Sequence, residues 1–254
     1  MSSNGAMSFQ AVSEILASRQ APLKVFFRDD DGGWADERLQ ELATDFIRQQ
    51  LPLDVAVIPD ALNDDSISLI SSLLDADGQV AIHQHGFCHV NHQLSGRSCE
   101  FGSDRNLVQQ QRDIALGKEI LVASFGNRID PIFTPPWNRC TTDTTEALQS
   151  LDFKVLSRIV NSDLLGGTVP EVPVTVDWLK KRKGVRLHSA ELIEYIVSLL
   201  NTDAEAMGVM LHHEHMDEEN RALLFEFIEA LKMSPAVSFH SMIEVATMAE
   251  KNYE

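Results

Sequence analysis

Lys24-Val25-Phe26-Phe27-Arg28-Asp29-Asp30-Asp31-Gly32-Gly33 is the stretch on which the fold turns. Its first half is short, rich in Val and Phe, and does not alternate strictly between apolar and polar. That is the pattern of a strand covered on both faces. The second half places three carboxylates side by side, which repel one another, before two glycines that permit a sharp turn. An acidic loop, or a cap for the helical segment starting near Asp36, accounts for this ending on structural grounds alone. A bound metal ion, relieving the repulsion, accounts for it chemically.

The same kind of run recurs along the chain, at 53–58, 79–83, 130–134, 153–157, 172–176, 208–211 and 236–239. Between the runs lie segments with helical periodicity. The segment 36–49 carries Leu39, Leu42, Phe46 and Ile47, and 104–124 carries Leu107, Ile114, Ile120 and Leu121. The segments 189–200 and 217–232 repeat the pattern with Leu192, Ile196 and Leu199, and with Leu223, Phe227, Ile228 and Leu231. Strands alternating with helices imply βα units and a parallel sheet. Some eight units in 254 residues point to a single α/β domain, 1–254, folded as a (β/α) barrel of seven to eight parallel strands.

Composition narrows the possible partners. The net charge is −17, which repels nucleic acid and anionic membranes, so neither is an expected partner. The basic run Lys180-Lys181-Arg182-Lys183 reads as a solvated loop. Three cysteines, Cys88, Cys99 and Cys140, imply no disulfide framework. No run approaches the ~18 apolar residues of a membrane span. The N-terminus MSSNGAMSFQ lacks a basic region followed by an apolar one, so the expected location is the cytoplasm.

In a barrel of this kind chemistry collects where the strands end. The third run ends in His83-Gln84-His85-Gly86-Phe87-Cys88-His89-Val90-Asn91-His92, four histidines in ten residues. Neutral imidazole is the commonest protein metal ligand, and the spacing of His85 and His89 suits two rings on one side of a turn. His83 lies within the strand and reads as a hydrogen-bonded core residue. The fourth run ends in a stiff Thr134-Pro135-Pro136-Trp137-Asn138-Arg139 loop, the sixth in Asp177-Trp178, and the seventh in Leu211-His212-His213-Glu214-His215.

In this order, these residues resemble the motifs of the polysaccharide deacetylase superfamily, the NodB-type, carbohydrate esterase 4-like proteins. The Asp-Asp motif is matched by Asp30-Asp31-Gly32, and the His-x-x-x-His motif by His85 and His89. The Pro-rich aromatic loop is matched by Pro135-Pro136-Trp137, the Asp-Trp motif by Asp177-Trp178, and the Leu-His motif by Leu211-His212. The forms Phe-Arg-x-Asp-Asp and His-Gly-Phe-x-His look like an atypical intracellular branch. Asp29 offers a second frame for the aspartate pair. One departure stands out. The family's third motif begins with an arginine that helps hold the catalytic aspartate, and Thr134 occupies that place here; Arg28 and Arg139 are the candidates to replace it.

The resemblance implies a distorted TIM-like barrel and a hydrolase that releases acetate from an N-acetylated sugar or a related amide. It implies Zn2+ or another divalent metal held by Asp31, His85 and His89, with open positions for water and substrate. Asp30 is then the general base and His212 the acid that protonates the leaving amine, with His213 its rival. A backbone N–H near Trp137 adds a donor for the oxyanion. Pro136, Trp137, Asn138, Asp177 and Trp178 would line or support the pocket, Asp177 as partner of the histidine; the tryptophans serve equally well as core packing. Two other readings remain. His83-x-His85 imitates an amidohydrolase-type metal motif, although that motif normally follows the first strand. A catalytically inactive, sugar-binding barrel is the other.

Overall fold

The computed structural model describes residues 4–251 other than 77, 161, 163, 164, 166–168 and 203. A seven-strand parallel path runs β5-β4-β3-β2-β1-β9-β6. Its strands are β1 (Leu23–Gly32), β2 (Leu53–Val57), β3 (Val80–His85), β4 (Ile129–Thr134), β5 (Val155–Leu156), β6 (Val176–Asp177) and β9 (Ala206–Leu211). The short β10 (Val237–Phe239) pairs with the first residues of β1. The sheet curls into a distorted barrel. Parallel bridges Leu156–Glu171 and Ile159–Val174 continue the pairing from β5 toward the segment that leads into β6. The 172–176 run, expected as a strand, therefore pairs only through such bridges before β6 begins.

Four helices fall where periodicity predicts them: α2 (Asp36–Arg48), α4 (Leu107–Phe125), α6 (Ser189–Leu200) and α7 (Glu218–Lys232). Four others were not foreseen: α1 (Asn4–Ser18), α3 (Asp64–Leu74), α5 (Thr142–Ser150) and α8 (Met242–Lys251). The start of α3 was nonetheless written in the chain. Asn63 accepts from the Asp65 and Ser66 N–H groups while Ser66 Oγ accepts from Asn63 N–H, a reciprocal cap. The basic run read as a solvated loop is instead a hairpin, β7 (Lys181–Arg182) with β8 (Val185–Arg186). No described helix is long and apolar enough to cross a membrane, and all three cysteines are free.

Strand periodicity sorts the side chains. On β1, Val25 and Phe27 join the outer core beneath the helices, whereas Phe26 joins the interior cluster with Ile132, Val155, Val174 and Met210. Met242, Val245 and Ala246 of α8 pack into that interior cluster. Gly208 leaves room for Phe26, since a Cβ there would stand 2.2 Å from the ring. Barrel-interior positions continue upward through Arg28 and Asp30 on β1, His83 and His85 on β3, Thr134 on β4, and His212 just past β9. These positions put the chemistry at the carboxyl end of the barrel.

Candidate metal centre and its cavity

At the carboxyl ends of the strands opens a cavity of ≈ 660 Å³. Buried Asp30, Asp31 and His85 line it together with the partly buried His89 and His212, and Trp137, Asn138 and Asp177 also line it. Eight of the residues singled out from sequence thus meet in one place.

The three consecutive aspartates take three different partners. Asp29 faces outward and its carboxylate accepts from the His213 backbone N–H at 2.9 Å and from His213 Nδ1 at 2.6 Å. Asp30 faces inward, two residues from Arg28 on the same face of β1. Arg28 Nε donates to Asp30 Oδ1 at 2.8 Å and Nη2 to Oδ2 at 2.9 Å, a bidentate ion pair with neither side chain appreciably exposed. Arg28 also donates to Ser157 Oγ and Asn138 Oδ1, both at 2.8 Å. Of the two arginines that could hold this aspartate with Thr134 at position 134, Arg28 does so, and Arg139 instead donates to the Ser98 carbonyl. Burial by itself would push the Asp30 carboxyl up; Arg28, His85 and His212 hold it below the ordinary carboxylate value.

Simple alternation would turn Asp31 outward like Asp29. It does not, because the β1–β2 register shifts between Asp29 and Gly32 and Asp31 adopts a left-handed φ of 73°. The side chain swings into the cavity instead. His89, Trp137 and Asn138 have positive φ as well, so four of the eight described non-glycine residues with positive φ line this cavity.

Asp31 Oδ1 lies 3.3 Å from His85 Nε2 and 3.4 Å from His89 Nε2. Neither contact is aligned as a hydrogen bond, and Oδ1 is buried with no hydrogen-bond partner among the described residues. Two donors each about 2.0–2.1 Å from one tetrahedral ion stand about 3.3 Å apart, so the observed spacing fits three ligands of one shared cation. Two imidazoles and a carboxylate suit zinc and its divalent neighbours. Burial would raise the Asp31 carboxyl, but His85, His212 and His89 hold it well below the usual range, keeping it anionic.

Each histidine ligand is oriented from behind. His85 Nδ1 donates to the Thr134 carbonyl at 3.0 Å, which leaves Nε2 as the free lone pair facing Asp31. His89 rides on a loop wound around Glu100, a fully buried carboxylate that accepts from the backbone N–H groups of Cys88 at 2.8 Å, His89 at 3.2 Å and Phe87 at 3.4 Å. Gly86 permits this winding; a Cβ there would stand 2.4 Å from Glu100 and 2.5 Å from Pro136. The His89 ring packs between Trp34 and Trp137, with centroids 5.0 and 4.4 Å away. Burial, with His85 alongside, lowers the His89 pKa and keeps the ring neutral, the form a metal requires. Glu100 had no sequence signal, since its part is visible only once the loop closes on it.

Several expectations need correction. His213, the rival general acid, is outside the cavity. Its ring is buried between Asp29 and the Trp34 carbonyl, 2.7 Å from Nε2, because a one-residue step along an extended chain reverses the face. Trp178 is core: it is 3 % exposed, stacks on Phe227 and donates its indole N–H to the Asn220 carbonyl. Pro136 is buried beneath Gly86 and does not line the cavity. Asp177 lines the cavity and feels the charge of His212, but its Oδ1 accepts from the Leu179 N–H. His83 sits as expected of a hydrogen-bonded core residue, bonding Thr134 Oγ1 at 2.8 Å inside the barrel. Burial and Arg28 lower its pKa to about 3, and it contributes nothing to the Asp31 cluster.

No family model matches the chain, and no curated protein matches it in sequence. Solved structures do. A protein of Mycobacterium smegmatis provisionally described as a polysaccharide deacetylase superposes with a TM-score of 0.70 at 18% identity, covering 93% of both chains. A family 4 acetyl xylan esterase of Clostridium thermocellum, solved with a cobalt ion, gives 0.57 at 15% identity, covering 89% of this chain and 91% of the other. A CE4-family pseudoenzyme of Bacillus anthracis gives 0.55 at 10% identity, covering 89% of this chain and 64% of the other. At these identities the likeness shows a shared fold.

Proposed function

We propose that the chain is a metal-dependent deacetylase that hydrolyses the amide of an N-acetylated sugar. The observation that carries this reading is the convergence of Asp31, His85 and His89 at 3.3–3.4 Å, in a cavity that also holds an arginine-bound aspartate and a further histidine, His212. The fold shared with the M. smegmatis and C. thermocellum proteins supports it.

A divalent ion at Asp31, His85 and His89, zinc by the donor set, would polarise the acyl carbonyl and acidify a water molecule. Asp30 takes the proton from that water; its pairing with Arg28 keeps it ionised and aimed. The water oxygen bonds to the acyl carbon, the C–N bond breaks, and His212 supplies the proton that lets the amine leave. The Asn138 and Arg139 N–H groups are bonded to the Pro135 and Pro136 carbonyls. Trp137 N–H is the donor of that turn with no such partner among the described residues, and it serves the oxyanion. The Trp137 ring forms an apolar wall for the sugar.

The inactive-barrel reading rested on the arginine absent from position 134, and Arg28 meets that need. The amidohydrolase-type reading required His83 in the metal cluster, and His83 is held elsewhere. The deciding experiment is metal analysis of the purified chain together with acetate release from N-acetylglucosamine and its oligomers. Stoichiometric metal with acetate release supports the proposal; metal without turnover on any acetylated sugar returns the chain to the binding-barrel class.

A further inference from the structure

The rim of the cavity has the opposite character to the chain as a whole. In a protein of net charge −17, five cationic side chains line this one cavity: Arg97, Arg139, Lys180, Lys181 and Arg186. None of them forms an ion pair with a described carboxylate, whereas Arg105, Arg128, Arg158 and Arg182 each do.

Two features show that the arrangement is built. First, Lys181 and Arg186 are directly opposed on the β7–β8 hairpin, where like charges destabilise the pairing. The turn between them, Lys183-Gly184, has positive φ at both residues, 51° and 82°, the tight form that fixes cross-strand register. Arg182, on the opposite face of the same hairpin, is neutralised by Glu191 at 2.9 Å. The hairpin's far-face cation is thus paired with a carboxylate, whereas Lys181 and Arg186 on the cavity face are not, among the described residues. Second, Arg97 in the loop between β3 and α4 and Arg139 just past β4 line the same cavity as another like-charge pair; burial, and then the charge of Arg97, lower the Arg139 pKa. Lys180, over the Tyr195 ring, adds a fifth cation beside the hairpin.

Two cation pairs on separate walls call for a ligand with at least two negative charges. Arginine forks and lysine amines together match phosphate oxygens. The acidic residues of the cavity do not cancel this: Asp30 is engaged by Arg28, Asp31 faces the histidines, Asp177 binds the Leu179 N–H, and Glu214 lies 4.0 Å from His215. We propose that the rim is a phosphate subsite and that the substrate is a phosphorylated N-acyl sugar, its amide at the histidine cluster and its phosphate between the two cation pairs. The choice of substrate rests on the deacetylase reading; the subsite itself does not.

The test measures calorimetric binding and amine release side by side on the metal-loaded protein. The probes are N-acetylglucosamine, N-acetylglucosamine 1-phosphate, its uridine diphosphate and polyprenyl diphosphate esters, and N-acetylneuraminic acid as a carboxylate control. The phosphorylated probes are expected to bind at least about ten-fold more tightly than the neutral sugar, with a preference that falls as salt rises. The exposed-residue variants Lys181→Gln/Arg186→Gln and Arg97→Gln should remove most of that preference while leaving the neutral sugar's affinity unchanged and without lowering the unfolding temperature. The strongest binder among the three phosphorylated probes identifies the carrier as free sugar phosphate, nucleotide or lipid. Equal affinity for phosphorylated and neutral sugars, a preference for the carboxylate control, or a phosphate preference that survives both variants overturns the subsite. Phosphate preference abolished by the variants, with no amine released from any probe, upholds the subsite and sinks the deacetylase reading. Amine release with no phosphate preference does the reverse.

Discussion

At the carboxyl end of β3, His85 and His89 converge on one aspartate. At the carboxyl end of β9, the adjacent His212 and His213 part company, one into the cavity and the other into a buried pair with Asp29. Both ends are rich in histidine, four in residues 83–92 and three in residues 212–215. On an extended backbone parity decides, so neighbours serve opposite faces of the barrel. Past the strand a turn takes over, and the four-residue step from His85 to His89 works only because Gly86 and Glu100 bend the loop back. A histidine cluster is therefore two kinds of chemistry, ligand and structural cation, separated by backbone geometry.

The largest effects should come from the converging end. Asp31→Asn, His85→Ala and His89→Ala should each lose most of the bound metal and essentially all turnover; elemental analysis showing wild-type metal in any of them breaks the assignment. Asp30→Asn should keep its metal and lower turnover by about 10²–10⁴-fold, the contribution of one general base. Steady-state rates and metal content measured on the same sample separate it from Asp31→Asn.

The diverging end should answer in stability. His213→Gln strands a buried Asp29 carboxylate and should cost about 3–5 kcal/mol in denaturant unfolding, with metal retained in the folded fraction. Metal loss there without destabilisation would erase the contrast between the two ends.

A finer test uses pH. Both His213 ring nitrogens face acceptors, so both carry protons and the ring is cationic. Burial alone would lower its pKa, but Asp29 and the Trp34 carbonyl raise it to about 9. A pKa raised by folding gives stability that is complete below the unfolded value near 6.5 and is lost as pH rises through about 9. Unfolding free energy should therefore fall by about 3 kcal/mol between pH 6.5 and 9.5, at about 1.4 kcal/mol per unit, and His213→Gln should flatten the curve. Denaturant midpoints across that range check it. Smallest of all, His215→Ala removes a half-exposed ring from the same turn and should shift stability by less than about 0.5 kcal/mol with metal unchanged. A large loss there would mean the turn, not the His213 ring, carries the effect.

The chain sequence determined what depends on local periodicity. Short two-faced strands alternating with helices specify a parallel α/β barrel. Period two along a strand puts Arg28 on the same face as Asp30, Asp29 on the other, and His212 opposite to His213; that Arg28 rather than Arg139 holds Asp30 was decided only by the tertiary structure. Only the tertiary structure decided the rest. Asp31 enters the cavity against its parity because the β1–β2 register slips and its φ turns positive, a choice made by packing between strands. His89 is placed by Glu100, eleven residues on. Trp178 went to the core and Trp137 to the cavity, although the two rings are chemically alike. The cationic rim gathers residues from positions 97 to 186, which sequence spacing cannot relate. Periodicity fixes which face a side chain takes, but which faces meet is set by contacts between distant segments, and these exist only once the barrel has closed.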